Sequence, residues 1–490
     1  MSPNATPGRG VNPINPKKHN PRVFMDTQTG SGTLQEILDK QRAFFRTGAT
    51  LTLAWRKEHL RQLRVLLTSH EREIAEALHT DLRKSESEVI ATELFPVLDE
   101  IDYHLKRLEK WMRPEKVRSS LLTEPSRSEI RRVPFGCALI LGTWNYPLNL
   151  ILLPLVGAIS GGNCAVLKPS ELAPATSRLV KKLISERFDE HFIAVVEGGA
   201  EVAKGLLSLR FDTIFFTGSP HIGKIVMQKA AENLIPVTLE LGGKSPAIVH
   251  KDADIKKAAR RVMWGKLINC GQTCIAPDFL LVHESVKAAF LEEAASAVQK
   301  FFGRNPQKAE DYGRIISGRH HERLVRLMSD PDLHVIFGGG QDAADKYIEP
   351  TLLDGVSWDH PLMKEEIFGP ILPVLTFTDP EPMIARLQAK ENPLALYVFT
   401  ASDSFAERVL REVPHGGSCI NDTIMHIVNP NLPFGGAGTS GIGQYHGRYS
   451  FEAFTRPQSV MRRGLFPDPS FRYPPYKRTK FFLKKFLLRD

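Results

Sequence analysis

Cys270 and Cys274 stand four positions apart in NCGQTCIAPDF (269–279), in a chain of 490 residues that holds only five cysteines. That pair admits a metal site, a disulfide, a nucleophilic thiolate or two buried thiols. A zinc centre is disfavoured, because no His or second Cys pair follows at ligand spacing. Cys274 follows a Gly-Gln-Thr turn and precedes IAPD. A cysteine attacks as its thiolate, and a helix N-terminus or adjacent donors lower its pKa enough to populate that form. An inert buried thiol is the competing reading of the same residues.

Three further stretches hold residues of chemical interest. In FFTGSPHIG (215–223) an apolar run ends at Gly218 and Ser219, with Gly223 following. A strand-to-helix turn of small residues can face backbone N–H groups and a hydroxyl to a phosphate, although the middle glycine of a dinucleotide fingerprint is absent. A plain structural turn explains the segment equally well. Glu240 in TLELGGKSP falls where a dinucleotide reading seeks a ribose-binding acid, about 20 positions on; it also precedes a glycine pair, where a carboxylate can face a cavity. Lys168 and Glu171 in VLKPSE pair a donor with an acceptor at one strand end, which suits a vicinal diol. A solvated Lys and a helix-start Glu fit that segment too.

The elements that must position these groups are legible as texture. Residues 33–112 repeat apolar positions at three- and four-residue spacing, as in LTLAWRKEHLRQLRVLLTSHEREIAEALHTDL, and predict helices. From 130 onward short apolar runs such as CALILGTWNYP and DTIFFTGSP end at Gly, Pro or Asn, and predict buried parallel strands in βαβ units. The glycines of 432–447 are too dense for a helix or a central strand. The fold class expected is α/β.

Composition sets outer bounds. Hydrophobic content of 42% and charged content of 24% are those of an ordinary globular protein. Few cysteines, in odd number, suit a reducing, cytoplasmic compartment. Residues 1–32 lack the apolar core of a secretory signal and read as a mobile tail. PLNLILLPLVGAI (147–159) is too short for a membrane span. The last fifteen residues carry +5 of the formal +9, so the body lacks a spread basic footprint and no nucleic-acid partner is expected.

Taken together and in order, GTWNYPL, LKPSE, FTGSPHIG, LELGGKSP, GQTCIAPD, EEIFGP and LPFGGAGTSGIGQYHGRYSFEAFT make the chain resemble the aldehyde dehydrogenase superfamily from about residue 33 to 475. The last motif, with RYPPY (472–476), resembles the class 3 branch that includes fatty aldehyde dehydrogenases. The resemblance implies a Rossmann-type NAD(P)-binding domain (33–112 and 135–240), an α/β catalytic domain (241–430) and small oligomerisation strands (113–134 and 450–465). It implies that Cys274 attacks an aldehyde and that the Asn145 amide and the Cys274 N–H hold the oxyanion, at about 3 kcal/mol per donor. Hydride passes to the nicotinamide, and Glu240 activates the water that hydrolyses the thioester. Lys168 and Glu171 would meet the adenosine ribose, Gly218, Ser219 and Gly223 the pyrophosphate side, and Glu366 and Phe368 the nicotinamide ribose and ring. Glu171 leans toward NAD, since a carboxylate repels a 2′-phosphate, while class 3 admits NADP; no metal is implied.

The resemblance further implies oxidation of aldehydes to acids, long-chain aliphatic first and aromatic second, by a homodimer. A CoA-acylating enzyme and a non-catalytic scaffold on the same fold are the rivals, and Glu240 argues against the first. Two features depart from the family. Cys270 stands where a small residue is usual, and reads as a buried side chain or, more sharply, as a redox lock on Cys274. The basic tail 466–490 replaces the span expected of fatty aldehyde dehydrogenases; its stripe of Phe482, Leu483, Phe486 and Leu487 would cover the body or make peripheral contact with anionic lipid.

Overall fold

The computed structural model describes residues 33–120, 123–468, 472–476 and 480. The N-terminal tail and the apolar stripe of the C-terminal tail lie outside the described residues. The strands, in chain order, are β1 (Glu115–Val117), β2 (Ser126–Pro134), β3 (Cys137–Leu141), β4 (Cys164–Lys168), β5 (Ile193–Val195), β6 (Thr213–Thr217), β7 (Val237–Glu240), β8 (Pro246–Val249) and β9 (Phe279–His283). They continue as β10 (His334–Phe337), β11 (Gln341–Asp342), β12 (Tyr347–Ile348), β13 (Thr351–Asp354), β14 (Ile371–Phe377), β15 (Ala395–Phe399), β16 (Gly417–Ile420), β17 (Gly441–Ile442) and β18 (Thr455–Arg463).

The first large sheet runs β17-β7-β6-β3-β4-β5 and is parallel except for β17. The chain winds outward from β3 to β5, then returns past β3 to β6 and β7, so strand order reverses between β3 and β6. In such a sheet the ligand crevice lies beyond the carboxyl ends of the strands at that reversal. Asn145 follows the end of β3, Lys168 ends β4, Gly218 and Ser219 follow β6, and Glu240 ends β7. One edge therefore collects every residue that the sequence singled out in this half.

The runs CALIL and CAVLK are buried throughout because both are central and helices Leu34–Arg46 and Asn149–Gly161 pack on them. Helix Asn149–Gly161, the longest apolar stretch, is a core helix that ends at Gly162 in the left-handed region (φ 86°). Helix Leu34–Arg46 starts at a reciprocal cap: the Glu36 N–H donates to Thr33 Oγ1 and the Thr33 N–H to the Glu36 carboxylate. Among the described residues no helix is long and apolar enough to cross a membrane.

The second sheet runs β10-β13-β14-β9-β8-β15-β16, with only β10 antiparallel. Both of its faces are buried, and successive residues alternate between two core clusters. Ala247, Val249, Leu280 and Val282 face the cluster shared with the first sheet, while Ile248 and Leu281 face the other. Residues 241–245 join the end of β7 to the start of β8, so the carboxyl edge of one sheet looks onto the amino edge of the next.

A small antiparallel sheet, β1-β2-β18, stands apart from these two. Its strands fall within the segments read as 113–134 and 450–465, with one correction. Residues 450–453 belong to helix Arg448–Ala453, which starts after Gly447 and packs on helix Asn149–Gly161. The strand begins only at Thr455.

Candidate active site

A cavity of about 820 Å³ opens between the facing sheet edges. Asn145, Glu240 and Cys274 all line it, as do Gly218, Ser219, Glu366 and Phe368. Three other sequence candidates are not in its wall. Lys168 Nζ sits 2.6 Å from Glu171 Oε2 at the end of β4, as a donor–acceptor pair that bonds within itself. Gly223 is buried in the first turns of helix Pro220–Ala231, and a Cβ there would lie 2.6 Å from Leu241 Cδ2. Its smallness lets this helix approach Leu241, just past the end of β7.

Cys274 is brought to the cavity by an unusual turn. Helix Ile255–Leu267 ends, and Asn269, Cys270 and Gly271 then adopt three successive left-handed conformations (φ 51°, 52° and 73°). Two of these are not glycine, so surrounding bonds must hold them. The Asn269 N–H donates to Glu88 Oε1 at 2.7 Å, and its side-chain amide donates to the carbonyls of Asn145 (2.8 Å) and Gln272 (3.1 Å). The Gln272 amide spans to the Arg314 carbonyl and accepts from the Ile316 N–H. Tyr146 Oη and Thr273 Oγ1 are 2.6 Å apart. Asn145 Nδ2 donates one hydrogen to the Gln272 carbonyl at 3.0 Å, which leaves the other uncommitted.

The cavity's acids and thiol share one electrostatic fact: burial dominates. It pushes the Cys274 thiol up to about 12, helped by the nearby carboxylates of Glu366 and Glu240 and opposed by the backbone N–H groups of Cys274 and Ile275. The sequence expectation that adjacent donors would lower this pKa is therefore not met; desolvation wins. Glu240 is raised well above the usual carboxylate range by burial, and neither of its oxygens has a hydrogen-bond partner. Glu366 is raised to about 8, by burial first and the charge of Asp278 next. The glycine pair before Lys244 makes room for it: a Cβ on Gly242 would lie 2.1 Å from Glu366 Oε2.

The Gly218 side of the cavity has the form of an anion cradle. Ser219 caps helix Pro220–Ala231, whose amino end points from the end of β6, and Thr217 Oγ1 is buried there without a partner. At the other end Phe368, itself left-handed (φ 54°), meets Trp144 edge to face at 5.3 Å. A dinucleotide fits this donor set, with an anion-binding end at Ser219, a buried hydroxyl at Thr217 and a flat apolar end at Phe368. Among the described residues no group of His, Cys, Asp and Glu is arranged to hold a metal.

Sequence reasoning missed several members of the site. Trp144, His320 and Arg323 line the cavity, and Arg323 donates to the carbonyls of Glu366 and Ile367, pinning the EEIFGP loop. Lys266 is buried with its Nζ unpartnered, and burial lowers it to about 8 against the pull of Asp278. Lys84, Glu88 and Glu93, outside the cavity wall, bond to the loops of Asn145 and Asn269 from a segment that read as plain amphipathic scaffold. Cys270 is buried against Gly313 and Tyr312, away from the cavity.

Two outcomes follow from this geometry. In the ligand-free enzyme, alkylation of Cys274 by iodoacetamide should accelerate close to tenfold per pH unit from 7 to 10, since the thiolate fraction grows until pH passes about 12; a plateau below pH 9 would contradict the burial argument. Gly271→Ala should lower stability by at least about 2 kcal/mol in chemical denaturation and cut turnover, because a Cβ would meet the Gly369 carbonyl at 2.2 Å in a left-handed conformation.

The aldehyde dehydrogenase family model matches residues 5–460. The chain is 46% identical over 452 residues to 4,4'-diaponeurosporen-aldehyde dehydrogenase of Staphylococcus aureus, covering 92% of this chain and 98% of that protein. It is 41% identical over 444 residues to the dimeric NADP-preferring aldehyde dehydrogenase of Canis lupus familiaris, covering 90% and 98%. Among solved structures, a substrate-bound Staphylococcus aureus AldH superposes with a TM-score of 0.91 at 44% identity, over 93% of this chain and 100% of that one. An NAD+ complex of an aldehyde dehydrogenase from Bacillus cereus gives 0.80 at 27% identity, over 88% of each chain. With its cysteine, amide and glutamate facing one cavity between two α/β sheets, the chain belongs to the aldehyde dehydrogenase family and oxidises aldehydes.

Proposed function

We propose that the enzyme converts long-chain aliphatic aldehydes, and aromatic ones second, to carboxylic acids with NAD or NADP. The observation that carries this reading is the meeting of Cys274, Asn145 and Glu240 in one partly desolvated cavity. The Cys274 sulfur, once ionised, attacks the aldehyde carbon, and negative charge moves to the carbonyl oxygen. The uncommitted hydrogen of Asn145 Nδ2 and the N–H of Cys274 stabilise that oxygen. Glu366 and Phe368 would hold a nicotinamide in the cavity, where it would supply the hydride acceptor needed to take the thiohemiacetal to a thioester. Glu240, as its carboxylate, then takes a proton from water as the water oxygen bonds to the acyl carbon, and the C–S bond breaks to release the acid and the Cys274 thiolate, to which the Glu240 proton returns. A carboxyl group with neither oxygen bonded and its pKa raised is suited to that proton transfer.

Ser219 and the amino end of helix Pro220–Ala231 support a pyrophosphate, and Glu366 and Phe368 the nicotinamide ribose and ring. The Lys168–Glu171 pair at the end of β4 supports an adenosine ribose, and the carboxylate favours NAD over a 2′-phosphate. The dog relative named NADP-preferring keeps NADP in the reading. That relative is also named dimeric, and among the described residues β18 is paired on one side only, which supports a homodimer joined through this small sheet. Long aliphatic substrates are supported by exposed apolar side chains on the segments before Cys274 and after β16: Trp264, Met425 and Val428 are 38%, 44% and 50% exposed. Their segments touch where a Cβ on Gly265 would meet Thr423 Oγ1 at 2.4 Å.

Replacing Glu240 by Gln should leave NAD affinity nearly intact and convert turnover into a burst of NADH followed by a slow steady state. A large rise in the NAD dissociation constant with normal deacylation would instead assign Glu240 to the ribose. If the Trp264–Val428 surface takes the alkyl chain, kcat/KM measured without CoA should rise about fourfold per added methylene, from about 0.8 kcal/mol per buried CH2. Met425→Ser should flatten that slope for decanal and leave propanal unchanged; equal effects on both would remove this surface from substrate binding.

A further inference from the structure

Three polar side chains of segment 84–94 reach the two loops that carry Asn145 and Cys274. Lys84 and Glu93 are both fully buried and bond at 2.6 Å through Nζ and Oε1. Lys84 also donates to the main-chain carbonyl of Asn145 at 3.2 Å and lies 3.9 Å over the Tyr146 ring. The second oxygen of Glu93 accepts the N–H groups of Leu148 (3.2 Å) and Asn149 (3.0 Å), where helix Asn149–Gly161 begins. Glu88 holds the Asn269 N–H at 2.7 Å, and the Asn269 side chain returns to the same Asn145 carbonyl at 2.8 Å.

None of these groups lines the cavity. A buried ion pair is a poor device for stability alone, since well-packed apolar residues often do as well. What this pair touches is specific: two main-chain N–H groups and one carbonyl of the Asn145 loop. Glu93 also lies in the π turn Ile90–Leu94, a distortion that frequently accompanies functional sites. Donors to a developing oxyanion must be held to within about 0.5 Å of their working geometry by supporting bonds. The two donors here stand on loops from different sheets that bond to each other at Asn145–Gln272 and Tyr146–Thr273, and segment 84–94 ties both loops to one external anchor.

We propose that Lys84 and Glu93, with Glu88, are positioning residues for the oxyanion site: they lock the Asn145 peptide and the Asn269 turn to one helical segment, so that Asn145 Nδ2 and the Cys274 N–H converge on one point. This rests on the oxyanion role given above to Asn145. The pair acts through Asn145, and its removal matters only while Asn145 is present.

The test is the rate of the transient NADH burst in the NAD-loaded enzyme with hexanal, for Lys84→Met/Glu93→Gln in the wild-type and the Asn145→Ala backgrounds. That double substitution removes both charges of the pair, so neither partner is left buried without the other. The burst should slow at least tenfold in the wild-type background and no more than twofold further in Asn145→Ala, with the NAD dissociation constant unchanged in both. A loss of the same fold in both backgrounds, or an unchanged burst, overturns the proposal. An unchanged burst in Asn145→Ala alone removes the oxyanion assignment and this inference with it, whereas a slowed Asn145→Ala with additive losses removes only the inference. Should the double variant fail to fold, Glu88→Ala read in the same two backgrounds should slow the burst at least threefold with Asn145 present and leave it unchanged without, equal losses again overturning the proposal.

Discussion

The main-chain carbonyl of Asn145 accepts from both Lys84 and Asn269, and this shared acceptor joins the two halves of the molecule. Asn145 leaves the first sheet at the end of β3. Asn269 opens the turn that brings Cys274 in front of the second sheet. The same two loops also meet where Asn145 Nδ2 donates to the Gln272 carbonyl and Tyr146 Oη bonds Thr273 Oγ1, and together these bonds hold them more closely than packing alone, which tolerates shifts larger than a reacting carbonyl does. The left-handed run at 269–271 depends on the same contacts, because Glu88 and the Asn145 carbonyl are what the Asn269 peptide and side chain bond to. Fixing one loop therefore fixes the other.

Desolvation is the second constraint, and it runs against easy ionisation. Cys274, Glu240 and Glu366 all stay in their neutral forms to higher pH than their free counterparts, each with burial as the first cause. Three acids close to one another cannot all ionise in a dry cavity without partners. The cationic Lys244 does not relieve them fully, since it is already committed to Asp278 and to the carbonyls of Leu362 and Glu365. Charge must therefore enter with bound ligands or be created in sequence, one group at a time. That ordering suits a reaction in which a thiolate is needed first and a carboxylate base only after the acyl group is in place.

Much of this was legible in the residue order. The apolar runs named their strands, and the short motifs at their ends named the crevice, because small residues and chemistry-bearing side chains recur where parallel strands stop. Gly218, Ser219, Glu240 and Cys274, singled out in those motifs, all line one cavity. Gly223 lies outside the cavity wall, against Leu241, and a glycine for close helix packing and one for phosphate approach look alike in sequence. Lys84, Glu88 and Glu93 were invisible for a different reason. In TDLRKSESEVIATELF their charges recur at helical spacing, as on any solvated face, and only the π turn and the loop packed above them make that face an interior one. Lys266 escaped notice for the same reason, since its spacing does not say that its end is buried.

The two cysteines of NCGQTC illustrate how backbone conformation separates residues that spacing brings together. In a regular helix, positions four apart share a face. The left-handed conformations of Asn269, Cys270 and Gly271 end that regularity, and the Cys270 sulfur turns to Tyr312 and Gly313 while Cys274 turns to the cavity. A disulfide between them needs both Cβ atoms within about 4.5 Å and correctly directed. Reaching that geometry would mean unwinding the turn, freeing the Asn269 peptide from Glu88 and withdrawing Gln272 from Arg314 and Ile316. Those same bonds present Cys274 to substrate. A redox lock at this pair would thus dismantle the site before it closed, so the turn that makes one cysteine reactive is what leaves the other a buried thiol.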